Sequence, residues 1–169
     1  PSRGLGDVYK RQDQRYILND EPNVIFNILN NYSITEKNKS YLLFKKNNID
    51  NFSDIVLETS EKSEFGKWIE IPDDNNEITR LKVISKNTFL GHLKKFIYKE
   101  EAYFIDYMFE DGKVLTYRYI PSTAVDGLWC NPFIMSPESG IIEQKTTKVR
   151  LRNSNSSFIS NNIQIQIEK

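Results

Sequence analysis

Two alternating runs joined by Asp111-Gly112 restrict the fold more than any other feature of this chain. In Ala102–Phe109, the residues Tyr103, Ile105, Tyr107 and Phe109 share one face. In Val114–Ile120, Leu115, Tyr117 and Tyr119 alternate with Thr116 and Arg118. A period of two sends successive side chains to opposite faces of a strand. Asp-Gly at the join is a strong hairpin signal, because glycine accepts the positive φ that a tight turn between twisted strands needs. Such a hairpin has one apolar face, and that face requires a second layer to cover it.

The same period recurs along the chain. Tyr41–Lys46, Lys67–Ile71 (ending at Pro72) and Glu77–Ser85 read as strands, as does Phe89–Lys99 with a bend near Gly91. Phe52–Glu58 is a further candidate through Ile55, Val56 and Leu57. Thr147, Val149 and Leu151 alternate with Lys148, Arg150 and Arg152, and Ile163, Ile165 and Ile167 with Gln164, Gln166 and Glu168. The polar stretches Ser33–Ser40, Asn47–Asp50, Glu58–Glu64, Asp73–Asn76 and Asn153–Ser157 read as loops and turns. Val24, Ile25, Ile28, Leu29 and Tyr32 follow Pro22 at helical spacing, which predicts a short helix over 22–32. Strands with one apolar and one polar face are antiparallel strands with one wet side; a parallel sheet reads as continuous apolar runs. The expected fold is mostly β, an antiparallel β-sandwich of jelly-roll type with a short N-terminal helix.

Tyr119–Ile134 interrupts the alternation with Pro121, Asp126-Gly127, Trp129, Cys130 and Pro132. It reads as an ordered crossover between the two sheets. Leu128, Trp129, Phe133 and Ile134 are expected to anchor it in the core, Asp126-Gly127 to form its turn, and Pro121 and Pro132 to end strand pairing.

Residues 2–12 coincide with a frame translation of a transposase adapter used for sequencing libraries, so they are excluded from the fold. The expected organisation is a disordered adapter-derived 1–12, a lead-in with the helix over 13–39, and the sandwich over 40–169. On this reading the chain is the C-terminal part of a longer reading frame.

The 169 residues carry 23 basic and 23 acidic side chains, so no basic nucleic-acid footprint or polybasic membrane patch is expected. One cysteine excludes an internal disulfide, and no Cys/His cluster has zinc spacing. His92, the only histidine, reads as an ordinary strand residue, and Cys130 as a small apolar wedge. Asp106, Glu110, Asp111 and Asp126 are the carboxylates available for glycoside chemistry, with no pairing evident from spacing. Asp106 alone interrupts an aromatic strand, and it is expected to face outward or to pair with Arg118 across the hairpin. Asp73–Glu77 holds oxygen ligands but no calcium-loop spacing, and reads as a solvated turn. No cofactor is expected. Trp68, Asp106, Arg118, Asp126 and Trp129 are the candidate ligand-contacting residues, glycan being the class that exposed aromatics on a sandwich would serve.

Tyr117-Arg118-Tyr119-Ile120-Pro121, Asp126–Ile134 and Val149-Arg150-Leu151-Arg152 resemble the C-terminal region of bacterial multi-spanning membrane proteins of the glycosyltransferase-like, polyprenyl-phosphate-sugar-using kind. The resemblance covers roughly 40–169. It implies a β-sandwich outside the cytoplasmic membrane, attached to an upstream membrane part that carries the catalytic residues. The expected function is thus a non-catalytic, extracytoplasmic (periplasmic) domain appended to a membrane protein that handles lipid-linked sugars. A carbohydrate-binding module and a small soluble enzyme are the alternatives. The partners implied are the upstream part of the same chain and glycan.

Overall fold

The ladder between the two alternating runs is present as expected, and it sets the frame for the rest. The computed structural model describes residues 14–37, 42–52, 56–72, 78–87, 102–134, 143–154 and 159–169. Helix α1 is Pro22–Asn31. The strands are β1 (Tyr32–Lys37), β2 (Leu42–Lys46), β3 (Leu57–Glu64), β4 (Trp68–Glu70), β5 (Thr79–Asn87) and β6 (Tyr103–Phe109). They continue with β7 (Val114–Tyr119), β8 (Leu128–Asn131), β9 (Phe133–Ile134), β10 (Glu143–Gln144), β11 (Thr146–Asn153) and β12 (Ile159–Glu168). The strand expected at Phe89–Lys99, His92 within it, and the Asp73–Glu77 turn lie outside the described residues, as do residues 1–13.

Among the described residues, eight strands form two antiparallel sheets, ordered β4-β11-β6-β7 and β3-β12-β5-β8. The pairs nest: β6 with β7 lies innermost in the chain, then β5 with β8, β4 with β11 and β3 with β12. A long double ribbon folded over itself gives this order, which is that of a jelly roll. The inner faces supply Ile69, Ile105, Tyr107, Val149 and Leu151 from one sheet and Leu81, Val83, Ile163, Ile165 and Ile167 from the other, all buried. Each contributes about 1.5–3 kcal/mol through removal of apolar surface from water.

Two polar stretches expected as loops are strands. Tyr32–Lys37 pairs with β2 as a separate hairpin, and Leu57–Glu64 pairs with β12 along a sheet edge. Neither shows an alternating apolar face, because neither buries one: residues 57–62 are exposed throughout. Backbone ladder bonds hold these strands, and charged side chains on the edge discourage further pairing.

The crossover joins the sheets as its sequence predicts. β7 belongs to one sheet and β8 to the other, and a single helical turn, Pro121–Ala124, lies between them. Gly127 closes the turn at φ +106°, and a Cβ there would meet Arg80 Cβ at 3.3 Å, so both conformation and space favour glycine. Leu128, Trp129 and Phe133 are buried in the core. The Trp129 indole N–H donates to Pro132 O at 2.7 Å.

The expected lead-in is part of this core. Tyr16 stacks on Phe133, with ring centroids 4.5 Å apart and planes at 6°. The buried Asn19 amide donates to Tyr107 Oη at 2.8 Å, and its Oδ1 accepts from the Trp129 backbone N–H at 2.8 Å. Its carbonyl accepts from Thr123 Oγ1 at 3.1 Å. The packing unit therefore starts well before residue 40. The reason is that the interior needs apolar cover, which Tyr16 and Leu18 supply, and that the buried Trp129 backbone N–H needs an acceptor, which Asn19 supplies.

Two substitutions test this arrangement. Trp129→Ala should destabilise the chain by about 3–5 kcal/mol in denaturant melts, the range for deleting a buried aromatic. Asn19→Ala strands two buried groups, each costing about 1–3 kcal/mol, so the loss should greatly exceed that of an exposed Asn→Ala control.

Candidate functional site

The two sandwich sheets treat their outer faces differently. On β3-β12-β5-β8 the outward residues Arg80, Lys82 and Glu168 form an ion cluster, with Arg80 Nη2 3.0 Å from Glu168 Oε2. Arg80 also donates to Asn23 Oδ1 at 3.1 Å and lies 5.1 Å from the centroid of the Phe26 ring. Asn23 and Phe26 belong to α1, so the helix packs on Arg80 at this part of the face, where Arg80 and Glu168 are both buried.

The outer face of β4-β11-β6-β7 carries a second cluster, and here guanidinium groups reach solvent. Strand register places the residues in rows. One row is Thr116, Asp106, Arg150 and Trp68; the next is Arg118, Phe104 and Arg152; a third is Val114, Met108, Lys148 and Glu70. Asp106 sits at the centre with its side chain 1% exposed. It accepts from Arg150 Nε at 2.9 Å, from Arg152 Nε and Nη2 each at 2.8 Å, and from Thr116 Oγ1 at 2.7 Å. Arg150 Nη2 lies 2.8 Å from the same carboxylate. The guanidinium of Arg150 also stands 4.5 Å from the Trp68 ring centroid, and that of Arg152 5.6 Å from Phe104. Burial pushes the Asp106 carboxyl up, but the hydrogen bonds from Arg152, Thr116 and Arg150, together with the Arg152 charge, hold it below the usual aspartate range. The hydrogen bond to Asp106 in turn raises Arg152 further above its already high range.

This geometry assigns roles. The Asp106 oxygens are filled by donors, so the carboxylate has no capacity left to take a substrate proton or a metal ion. It fixes the two arginines side by side, and their remaining N–H edges, with the Trp68 and Phe104 rings, make a platform. Cys130 is fully buried, and burial pushes its thiol far above the range of a nucleophile, against a weaker opposing backbone hydrogen bond from Leu81. Among the described residues, no three His, Cys, Asp or Glu side chains converge as metal ligands.

Of the five residues singled out from the sequence, three fall on this face: Trp68 half-buried on β4, Asp106 on β6 and Arg118 on β7. Asp126 lies in the crossover turn, and Trp129 is a core residue at 1% exposure, so neither joins them. The expected Asp106–Arg118 pair does not form. The hairpin register sets Thr116 opposite Asp106 and Arg118 opposite Phe104, and the neutralising arginines come from β11 on the other side. Arg150, Arg152 and Phe104 were missed as site residues because they read as the wet side of alternating strands. The available signal was the lone acid in an aromatic strand, which requires a cation, beside a strand with two arginines at period two.

No helix among the described residues is long and apolar enough to cross a membrane. No family model, curated protein or solved structure matches this chain.

The Asp106 cluster has a pH signature. A carboxyl whose pKa is lowered on folding contributes stability that is present above its unfolded value, about 3.9, and is lost as pH falls through the folded value. Asp106→Asn should therefore destabilise at pH 7 by about 2–3 kcal/mol, below the roughly 3–5 of a fully buried pair because both guanidiniums touch water. The difference from the parent chain should shrink steadily as melts are repeated below pH 4. A difference independent of pH would mean that the carboxylate charge is not what Arg150 and Arg152 require.

Proposed function

We propose that this chain is a non-catalytic jelly-roll domain that contacts glycan through the outer face of β4-β11-β6-β7. In this reading it is appended to a membrane protein that handles lipid-linked sugars, on the extracytoplasmic side of the cytoplasmic membrane. The observation that carries the reading is the Trp68–Arg150–Asp106–Arg152–Phe104 array. Ion pairing holds its polar groups in place before any ligand arrives, which reduces the ordering cost of binding. Aromatic rings beside fixed donors offer a sugar both an apolar surface and hydrogen-bond partners. The buried, protonated thiol of Cys130 and the saturated carboxylate of Asp106 argue for binding rather than turnover. The resemblance of Tyr117–Pro121, Asp126–Ile134 and Val149–Arg152 to the terminal domains of such membrane proteins supplies the context.

Two measurements test it. Reading the gene upstream of Gln12 should reveal repeated apolar runs of about 20 residues; a secretion signal joined directly to a hydrolase domain would overturn the membrane attachment. On a glycan array, Trp68→Ala should weaken binding roughly tenfold, equivalent to about 1.4 kcal/mol, without changing the far-UV spectrum. Absence of binding to any glycan by the parent chain would remove the carbohydrate part of the proposal.

A further inference from the structure

Among the described residues, the face that carries the array holds more positive charge than its carboxylates balance. Lys148 is matched by Glu70 at 2.6 Å. Arg15, bridged to Arg118, is matched by Asp20 at 3.3 Å; among the described residues Arg118, Arg150 and Arg152 remain, against Asp106. The whole chain has equal numbers of basic and acidic residues, so this surplus is local.

Arg118 is the informative member. Its side chain is half-buried, and among the described residues it makes no ion pair or hydrogen bond; its Nε is shielded from water without a partner. Holding a guanidinium partly out of water with no anion costs free energy, and a structural arginine ordinarily finds a carboxylate or carbonyl. Register places Arg118 opposite Phe104, and Phe104 opposite Arg152. Neighbouring strands are about 4.8 Å apart, so the two arginine backbones are separated by roughly 10 Å with Phe104 between them. Arg152 uses Nε and Nη2 to hold Asp106, and the edge bearing Nη1 is not engaged by that carboxylate. Guanidinium forks recognise carboxylate and phosphate oxygens, often bidentately.

We propose that the glycan bound on this face is acidic, its oxyanion (a carboxylate or a phosphate on the sugar) lying between Arg118 and Arg152 above Phe104. This proposal rests on the reading of the face as glycan-contacting. Asp106 positions Arg152 and Arg150 without touching the ligand. Arg118 supplies the second arm of the clamp, and Phe104 offers the apolar surface on which the sugar ring rests.

Affinity electrophoresis of the full chain tests it, in native gels cast with polygalacturonate, with a phosphomannan or with a neutral mannan, at low salt and at about 150 mM salt. Retardation by one or both acidic polymers and not by the neutral one is expected. Arg118→Gln should weaken it on the order of tenfold at an unchanged melting temperature, whereas Lys148→Gln should leave it unaltered. Which acidic polymer retards the chain identifies the oxyanion. Equal retardation by the neutral mannan overturns the acidic preference and leaves the glycan reading standing; no retardation in any gel overturns both. Acidic binding that is indifferent to Arg118→Gln overturns the location of the clamp. If that variant melts early, Arg118→Lys, which keeps the charge without the fork, is read instead: weakened retardation is expected, and parental retardation refutes the clamp. Flotation with phosphatidylglycerol vesicles, in the absence of binding to either acidic polymer, would reassign the face to a lipid surface.

Discussion

The Asn19 amide ties together the two sheets and the crossover between them. Its nitrogen donates to Tyr107 in one sheet, its oxygen accepts from the backbone of Trp129 in the other, and its own carbonyl accepts from Thr123 in the crossover. A crossover between sheets must bury backbone that no ladder satisfies, and unsatisfied backbone is expensive in a dry interior. The helical turn satisfies its own N–H groups, from Thr123 to Gly127, and one asparagine, delivered by a short turn beside the stacked Tyr16 ring, supplies the acceptor for the buried Trp129 N–H. With the crossover fixed, β8 can add to the edge of β5, and the nested order of pairs closes into a jelly roll.

Charge then distinguishes the two outer faces. Each bears a carboxylate flanked by cations: Glu168 with Arg80 and Lys82, Asp106 with Arg150 and Arg152. The first is capped by α1 through Asn23 and Phe26, and serves to dock the helix. In the second the Arg150 and Arg152 side chains stay partly exposed, with aromatic rings beside them. Similar local chemistry therefore has a packing role on one sheet and, in the proposed function, a recognition role on the other. What differs, among the described residues, is that α1 packs on the first.

Legibility in the sequence followed burial. Strands β6, β7, β11 and the C-terminal part of β12 were readable because each buries one face, which imposes a period of two on residue type. Strands β1 and β3 were not, because Ser33, Thr35 and residues 57–62 are exposed and carry no such period. The same logic limited the site. Trp68, Asp106 and Arg118 stood out as unusual residue types in their strands. Arg150 and Arg152 looked like ordinary solvent-facing positions, and their importance depends on a carboxylate more than forty residues earlier in the chain.

By itself the sequence determined the class of fold, the hairpin at Asp111-Gly112, the crossover and its anchors, since these follow from local periodicity, turn chemistry and the need to bury aromatic side chains. The tertiary structure alone decided which cations neutralise Asp106, that residues 16–19 complete the interior, and that α1 packs on one sheet face while Arg150 and Arg152 stay partly exposed on the other. Those outcomes depend on strand register and on which distant strand becomes a neighbour. Both are set by the simultaneous packing of all the strands, and no local stretch of sequence encodes them.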